Sequence, residues 1–492
     1  MTSSSRLLWA SRLPRSIHAL LESPAADIDL SDDEGVTCRL LARPLEWKVR
    51  AVESLEVSTA RSCQRRRSLQ VAPLRDVLTD EVVARGKAAR WSSAKQATVV
   101  LPVATLPKGP LVNFDIRAAE GPAYLLPRTQ IAERETAYLC QLAREAGLHV
   151  DAQLRTVLVA MCGFSSGPWQ RFLDSGQNPR LALTEYLQSG IGGAVTGCLV
   201  DEWSDAISRS GEILQATLRR VGETANATSA VENPLLVLPE LIEPARREDL
   251  TPIGSLLARF DAFVQQASEC AQSQPGSSNA ATDLLLALAD YGRRWDVMVS
   301  CTVPLDAPFS VKTVESRPLM LSSTLRQKIR QRATGKQEVV VADARTNHVS
   351  IRVTDPNVEL YDVQATDLAG TGPAWLLSTT EHNAEVLSFY MSNPDRDFSV
   401  CLDLGLRPTG LSRSVTWVFT LLVVLALVAT LSLASSNASV LAVLVVPTTF
   451  AGSLLLLREP SSLGTRLKRT VATLLACALV VLWVAVVTIV LS

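Results

Sequence analysis

Residues 415–492 hold three long apolar runs, and a soluble fold has little use for stretches of that length. Val415–Ala434 carries no charge and is long enough to cross a ~30 Å hydrocarbon core as a helix. Ser439–Leu457 is a second such run; its Pro447 is tolerable in a span, where neighbouring groups re-satisfy the freed carbonyl. Val471–Ser492 is the third. Joined at ~1.5 Å per residue, the first two would measure roughly twice a bilayer, so Ser435-Ser436-Asn437 reads as a hairpin turn. Basic residues set the orientation. Arg458, Arg466, Lys468 and Arg469 face a single Glu459 between the second and third runs, and Arg407 and Arg413 precede the first. The turn and the C-terminus carry no basic residue, so everything N-terminal to the first run is expected in the cytoplasm and the C-terminus outside. The runs contain no charge, which suits holding better than conducting.

The four hundred residues before this block are enough for two or three domains. A net charge of −1 gives no general attraction to nucleic acid. The nine cysteines are scattered with no CxxC pair, which suits a reducing compartment and favours neither a disulfide framework nor a zinc site. Four histidines without an HExxH argue against a histidine metal centre, and no cofactor is implied. The Arg-heavy balance of basic residues hints at a GC-rich bacterial source.

Along the chain, residues 1–40 are a basic segment followed by an acidic one, expected to be partly disordered. Arg6, Arg12 and Arg15 with Leu13, Ile17, Leu20 and Leu21 could lie on an anionic surface, form a transit peptide or be a frayed helix. Residues 41–130 read as a β-rich domain, 131–293 as a helical region and 294–405 as a second β-rich domain. The two β regions resemble each other. FDIRAAE from Phe114 parallels YDVQATD from Tyr361, GPAYLLPRT from Gly121 parallels GPAWLLSTT from Gly372, and AKQATVV from Ala94 parallels GKQEVVV from Gly335. Trp47 and Trp295 match further upstream. The blocks are collinear, as an internal duplication requires.

One motif looks catalytic. Gly163-Phe164-Ser165-Ser166-Gly167 is a GxSxG after a strand-like TVLVAMC, the setting of a nucleophile elbow. Ser165 would be the nucleophile and His348 or His382 its base, with Asp343 or Asp367 as orienter. The flanking regions lack a βαβ alternation and an upstream oxyanion segment, so a loop after a buried helix end competes with that reading. Arg65-Arg66-Arg67 is a basic patch, either solvated or facing lipid head groups. SGIGGAVTG at 189–197 has neither phosphate-loop spacing.

The expected architecture is therefore an α+β multi-pass membrane protein: two related β-rich domains around a helical region, then a three-helix anchor over 414–492. The expected function is a non-enzymatic scaffold at the inner membrane face, with the bilayer and a protein as partners. The alternative is a membrane-anchored serine hydrolase using Ser165.

Overall fold

The computed structural model describes residues 28–164, 197–223, 251–273, 280–409 and 462–491, with isolated positions at 181, 185, 421, 424 and 428. Within those ranges 85, 87–90, 93, 109–110, 119–120, 342–343, 368–378, 383–385 and 393–397 lie outside the description. Among the described residues the architecture is mixed α/β with three sheets.

The first sheet has four strands: β1 (Ile28–Asp29), β4 (Gln96–Pro107), β7 (Arg294–Pro304) and β6 (Ala123–Leu125), in that order. The second has seven: β13 (Thr379–His382), β14 (Val386–Ser392), β11 (Thr346–Val353), β2 (Lys48–Val57), β3 (Ser62–Val71), β8 (Phe309–Pro318) and β5 (Val112–Ala118). The third orders β12 (Val358–Asp367), β15 (Phe398–Pro408), β10 (Ala333–Val341) and β9 (Met320–Ser322). The two β regions thus do not fold side by side as separate units. β2 pairs in parallel with β11, β3 pairs antiparallel with β8, and β4 pairs antiparallel with β7. Alternating buried residues put one face of β2 and β3 on the core, and strands from the other end of the chain extend that sheet at both edges of the hairpin.

The matched segments also part company. Phe114 lies on β5, at an edge of the seven-stranded sheet, and Tyr361 on β12, at an edge of the third sheet. One pairing is nevertheless reciprocal. Ser62 faces Pro318 and Val71 faces Phe309, so residues with the same separation as Phe114 and Tyr361 exchange places across β3 and β8.

The inner face of the seven-stranded sheet carries two apolar cores. At one end Ala51, Leu69, Val71 and Val311 pack with Trp47, the first sheet and two helices, α1 (Glu34–Ala42) and α3 (Arg75–Ala84). Between α1 and β2, the short α2 (Pro44–Trp47) turns Trp47 inward, where its indole N–H donates to the Leu40 carbonyl at 2.9 Å. At the other end Leu55, Val57, Cys63, Val349, Ile351 and Val353 pack with the third sheet.

The helical region forms a third core, drawn from α4 (Arg128–Glu145), α5 (Ala152–Gly163), α6 (Gly197–Glu223), α7 (Thr251–Ser273) and α8 (Ala280–Arg293). Asp151 caps α5 by accepting from the Leu154 N–H at 2.7 Å, one of the orphan donors of a helix start. The short α9 (Leu325–Ile329) follows β9, and α10 (Ser462–Leu491) closes the described chain.

α10 is the one described helix long and apolar enough to span a membrane, and it begins about two and a half turns before the run at Val471. A three-span anchor is not what the described residues show. Val415–Ala434, apart from three positions, and Ser439–Leu457 lie outside them.

Candidate functional site

Two features distinguish this molecule: the way α10 joins the body, and the charges buried inside that body. Leu463 and Leu467 sit one turn apart on α10 and are buried in the core with Val353, Val358, Leu404 and Leu406. The Asp355 carboxylate accepts from the Gly464 N–H at 3.2 Å in the first turn of α10, where unpaired N–H groups and the helix dipole favour an anion. The Arg466 guanidinium donates to the carbonyls of Ala60 and Leu321, each at 3.1 Å. These contacts reach both the β2–β3 turn and β9. The helix is bolted to the body.

Two arginines expected to flank the membrane thereby gain structural roles. Arg466 clamps the seat, and Arg407 pairs with Glu359 at 2.6 Å while stacking on Tyr361. Lys468 and Arg469 lie on α10 just beyond the seat, and Arg413 and Arg458 lie outside the described residues.

The Arg65-Arg66-Arg67 patch is not a surface feature. Arg65 and Arg67 point inward and are 2% and 3% exposed. Glu53 on β2 accepts from Arg65 at 2.6 and 2.8 Å and also from Arg67, while Glu315 on β8 accepts from Arg65 at 3.3 Å and from Arg317 at 2.7 Å. Arg66 faces out and pairs with Glu56 at 3.3 Å. Strand register explains the set: Arg67 lies opposite Glu53, and Arg65 opposite Glu315. The result is a charged band across the sheet, separating its two apolar cores.

A second buried set joins the helical region to the first sheet. Glu135 on α4 accepts from the Asp296 backbone N–H on β7 at 2.7 Å. Asp296 in turn accepts from the Tyr291 hydroxyl at 2.9 Å and the Thr105 hydroxyl at 2.7 Å. Burial, reinforced by the neighbouring Asp296, holds the Glu135 carboxyl well above the usual carboxylate range, against the opposing pull of Lys108 and Arg128. Burial raises Asp296 as well, opposed by the Lys48 charge and by the two hydroxyls. A carboxyl whose native state binds its proton more tightly than the unfolded chain loses stability as pH rises from the ordinary carboxylate range to its raised one. The urea midpoint should therefore fall across that window, and Glu135→Gln should flatten the slope. An unchanged slope in the variant would assign the pH dependence elsewhere.

Chemically, the first set is a closed joint whose carboxylates are held by arginines. The second ties α4 to β7 but leaves the buried Glu135 Oε2 without a hydrogen-bond partner among the described residues.

The sequence-derived catalytic set is distributed differently. TVLVAMC is not a strand: it belongs to α5, whose Val157, Leu158, Met161 and Cys162 are buried in the helical core. An elbow at Ser165 would therefore follow a helix, because apolar residues at 157, 158, 161 and 162 follow a helical period. Ser165 itself lies outside the described residues. The carbonyl of the preceding Phe164 accepts from Arg128 at 2.8 Å, and Lys108 lies 5.7 Å from the Phe164 ring. His348 is on β11, between Val52 of β2 and Tyr390 of β14, and His382 ends β13. Burial and the Arg50 charge lower the His348 pKa. Asp367 ends β12, in a different sheet, and Asp343 lies outside the described residues. Among the described residues no cluster of His, Cys, Asp or Glu could hold a metal ion.

Missed in the sequence was the seat. Its one legible signal was Leu463 and Leu467 at helical spacing with Arg466 between them, ahead of the third apolar run. No family model matches the chain, and no curated protein or solved structure matches it either.

Proposed function

We propose that the chain is a membrane-seated scaffold: a large, non-enzymatic α/β body presented to partner proteins at the inner face of a bilayer. The observation that carries this reading is the rigid seat of α10. A flexible tether would leave the body free to tumble, whereas Leu463, Leu467, Gly464 and Arg466 fix its orientation relative to the helix. Beyond the seat, Leu474, Val480, Val481, Trp483 and Val484 are all more than half exposed, a face suited to lipid.

The same helix supports a multi-pass anchor. Val471, Leu475 and Leu482 are buried although they lie outside the core that receives Leu463 and Leu467. A lone span would be exposed on every side there. The buried stripe, with the apolar runs at Val415–Ala434 and Ser439–Leu457, favours an anchor of more than one span. The basic residues near the seat favour a cytoplasmic body and an extracytoplasmic C-terminus. An alkaline phosphatase fused after Ser492 should be active in intact bacterial cells, and a fluorescent protein fused before Met1 should be bright. An inactive phosphatase at normal expression would reverse the orientation.

A further inference from the structure

The short helix α9 lies against α10, and Arg466 of α10 donates to the carbonyl of Leu321 just ahead of it. The helix is well formed for its length. Thr324 accepts from the Gln327 N–H at 3.2 Å, and the Gln327 side chain accepts from the Thr324 N–H at 2.7 Å, a complete capping box. At its far end the Arg332 N–H closes onto the Gln327 carbonyl at 2.8 Å, with Gln331 turned to φ +56°.

What this helix displays is unusual for a surface facing water. Leu325 is 72% exposed and Ile329 41% exposed, one turn apart and therefore on one face. Arg326, Lys328 and Arg330 are exposed around them. No acidic residue occurs between Glu315 and Glu338, so nothing local in the chain neutralises these cations. Two bare aliphatic side chains ringed by cations match an anionic lipid surface, where the apolar pair enters the boundary region and the cations meet head groups. The position supplies the second argument, because α9 abuts the base of the helix assigned to the bilayer.

We infer that α9 is a lipid-contacting foot: Leu325 and Ile329 insert into the anionic leaflet that α10 enters, and Arg326, Lys328 and Arg330 bind its head groups. This rests on the membrane reading of α10. The foot gives the body a second contact with the membrane beside the seat on α10.

Hydrogen exchange of the full chain in vesicles tests both layers. Vesicles of phosphatidylcholine alone are compared with phosphatidylcholine containing phosphatidylglycerol. Exchange at 325–330 should slow by about tenfold or more in the anionic vesicles, in keeping with the attraction each cation contributes near such a surface. Arg326→Gln/Lys328→Gln/Arg330→Gln should abolish the difference, and Leu325→Ser/Ile329→Ser should reduce it; all five positions are exposed, so the fold is retained. Equal exchange at 325–330 in both vesicles, with α10 protected, overturns the foot and leaves the membrane reading standing. Unprotected α10 in both vesicles overturns the two together.

Discussion

Glu53→Gln should destabilise the body by about 3–5 kcal/mol, the usual cost of removing one partner from a buried ion pair. Glu53 accepts from both Arg65 and Arg67. Its neutralisation therefore leaves two guanidinium groups, each nearly fully buried, against Glu315 alone. A fall of that size in unfolding free energy is a large fraction of what an ordinary domain possesses. It is measured as a shift of the urea midpoint at constant slope. The informative companion replaces the whole set: Glu53→Leu/Arg65→Met/Arg67→Leu/Glu315→Leu/Arg317→Met should recover much of the loss, because apolar packing can substitute for a satisfied buried network. If Glu53→Gln alone costs less than about 1 kcal/mol, the band is hydrated and its charges act as a surface pair would.

The second large effect concerns the seat. Leu463→Asp/Leu467→Asp removes two buried leucines, about 1.5–3 kcal/mol each, and asks the core to accept two carboxylates. The body will release the helix rather than bury those charges. Hydrogen exchange at Ser462–Lys468 should then rise by about two to four orders of magnitude, while β2, β3 and β8 keep their protection. The conservative Leu463→Met should leave exchange near wild type. Unchanged protection at Ser462–Lys468 in the double aspartate variant would mean the seat is held by other contacts. Global loss of protection would mean the seat is part of the body's core and not a joint.

Much of the secondary structure was legible because it follows simple periods. Leu284, Leu285, Leu288 and Ala289 on α8 repeat with a helical period, and Val349, Ile351 and Val353 on β11 alternate. Pairing between distant strands left no such trace. Nothing in the run of β3 indicates that its neighbour is β8, because register is decided by matching Arg65 to Glu315 and Arg67 to Glu53 across the folded sheet. The arginine run was misread for the same reason. Three consecutive cations suggest solvent, yet strand alternation sends Arg65 and Arg67 inward and only Arg66 outward. The α5 segment failed differently: β-branched residues in TVLVAMC imitate a strand, while burial against α4 and α8 selects the helix. α9 was invisible in the sequence, since two apolar residues among cations acquire meaning only when placed beside α10.

The pairing of β3 with β8 also governs the order in which this chain can be made. β3 is complete at Val71, but its partner strand begins only at Phe309, and β2 waits for β11 at Thr346. Until those strands are made, the β2–β3 hairpin has both outer edges open, and Arg65 lacks its Glu315 partner. Such long sequence separations slow folding and leave strand edges exposed to wrong partners. Glu53, Arg65 and Arg67 all lie on this hairpin, so their mutual ion pairs need no later strand, and only the pair of Arg65 with Glu315 waits for β8.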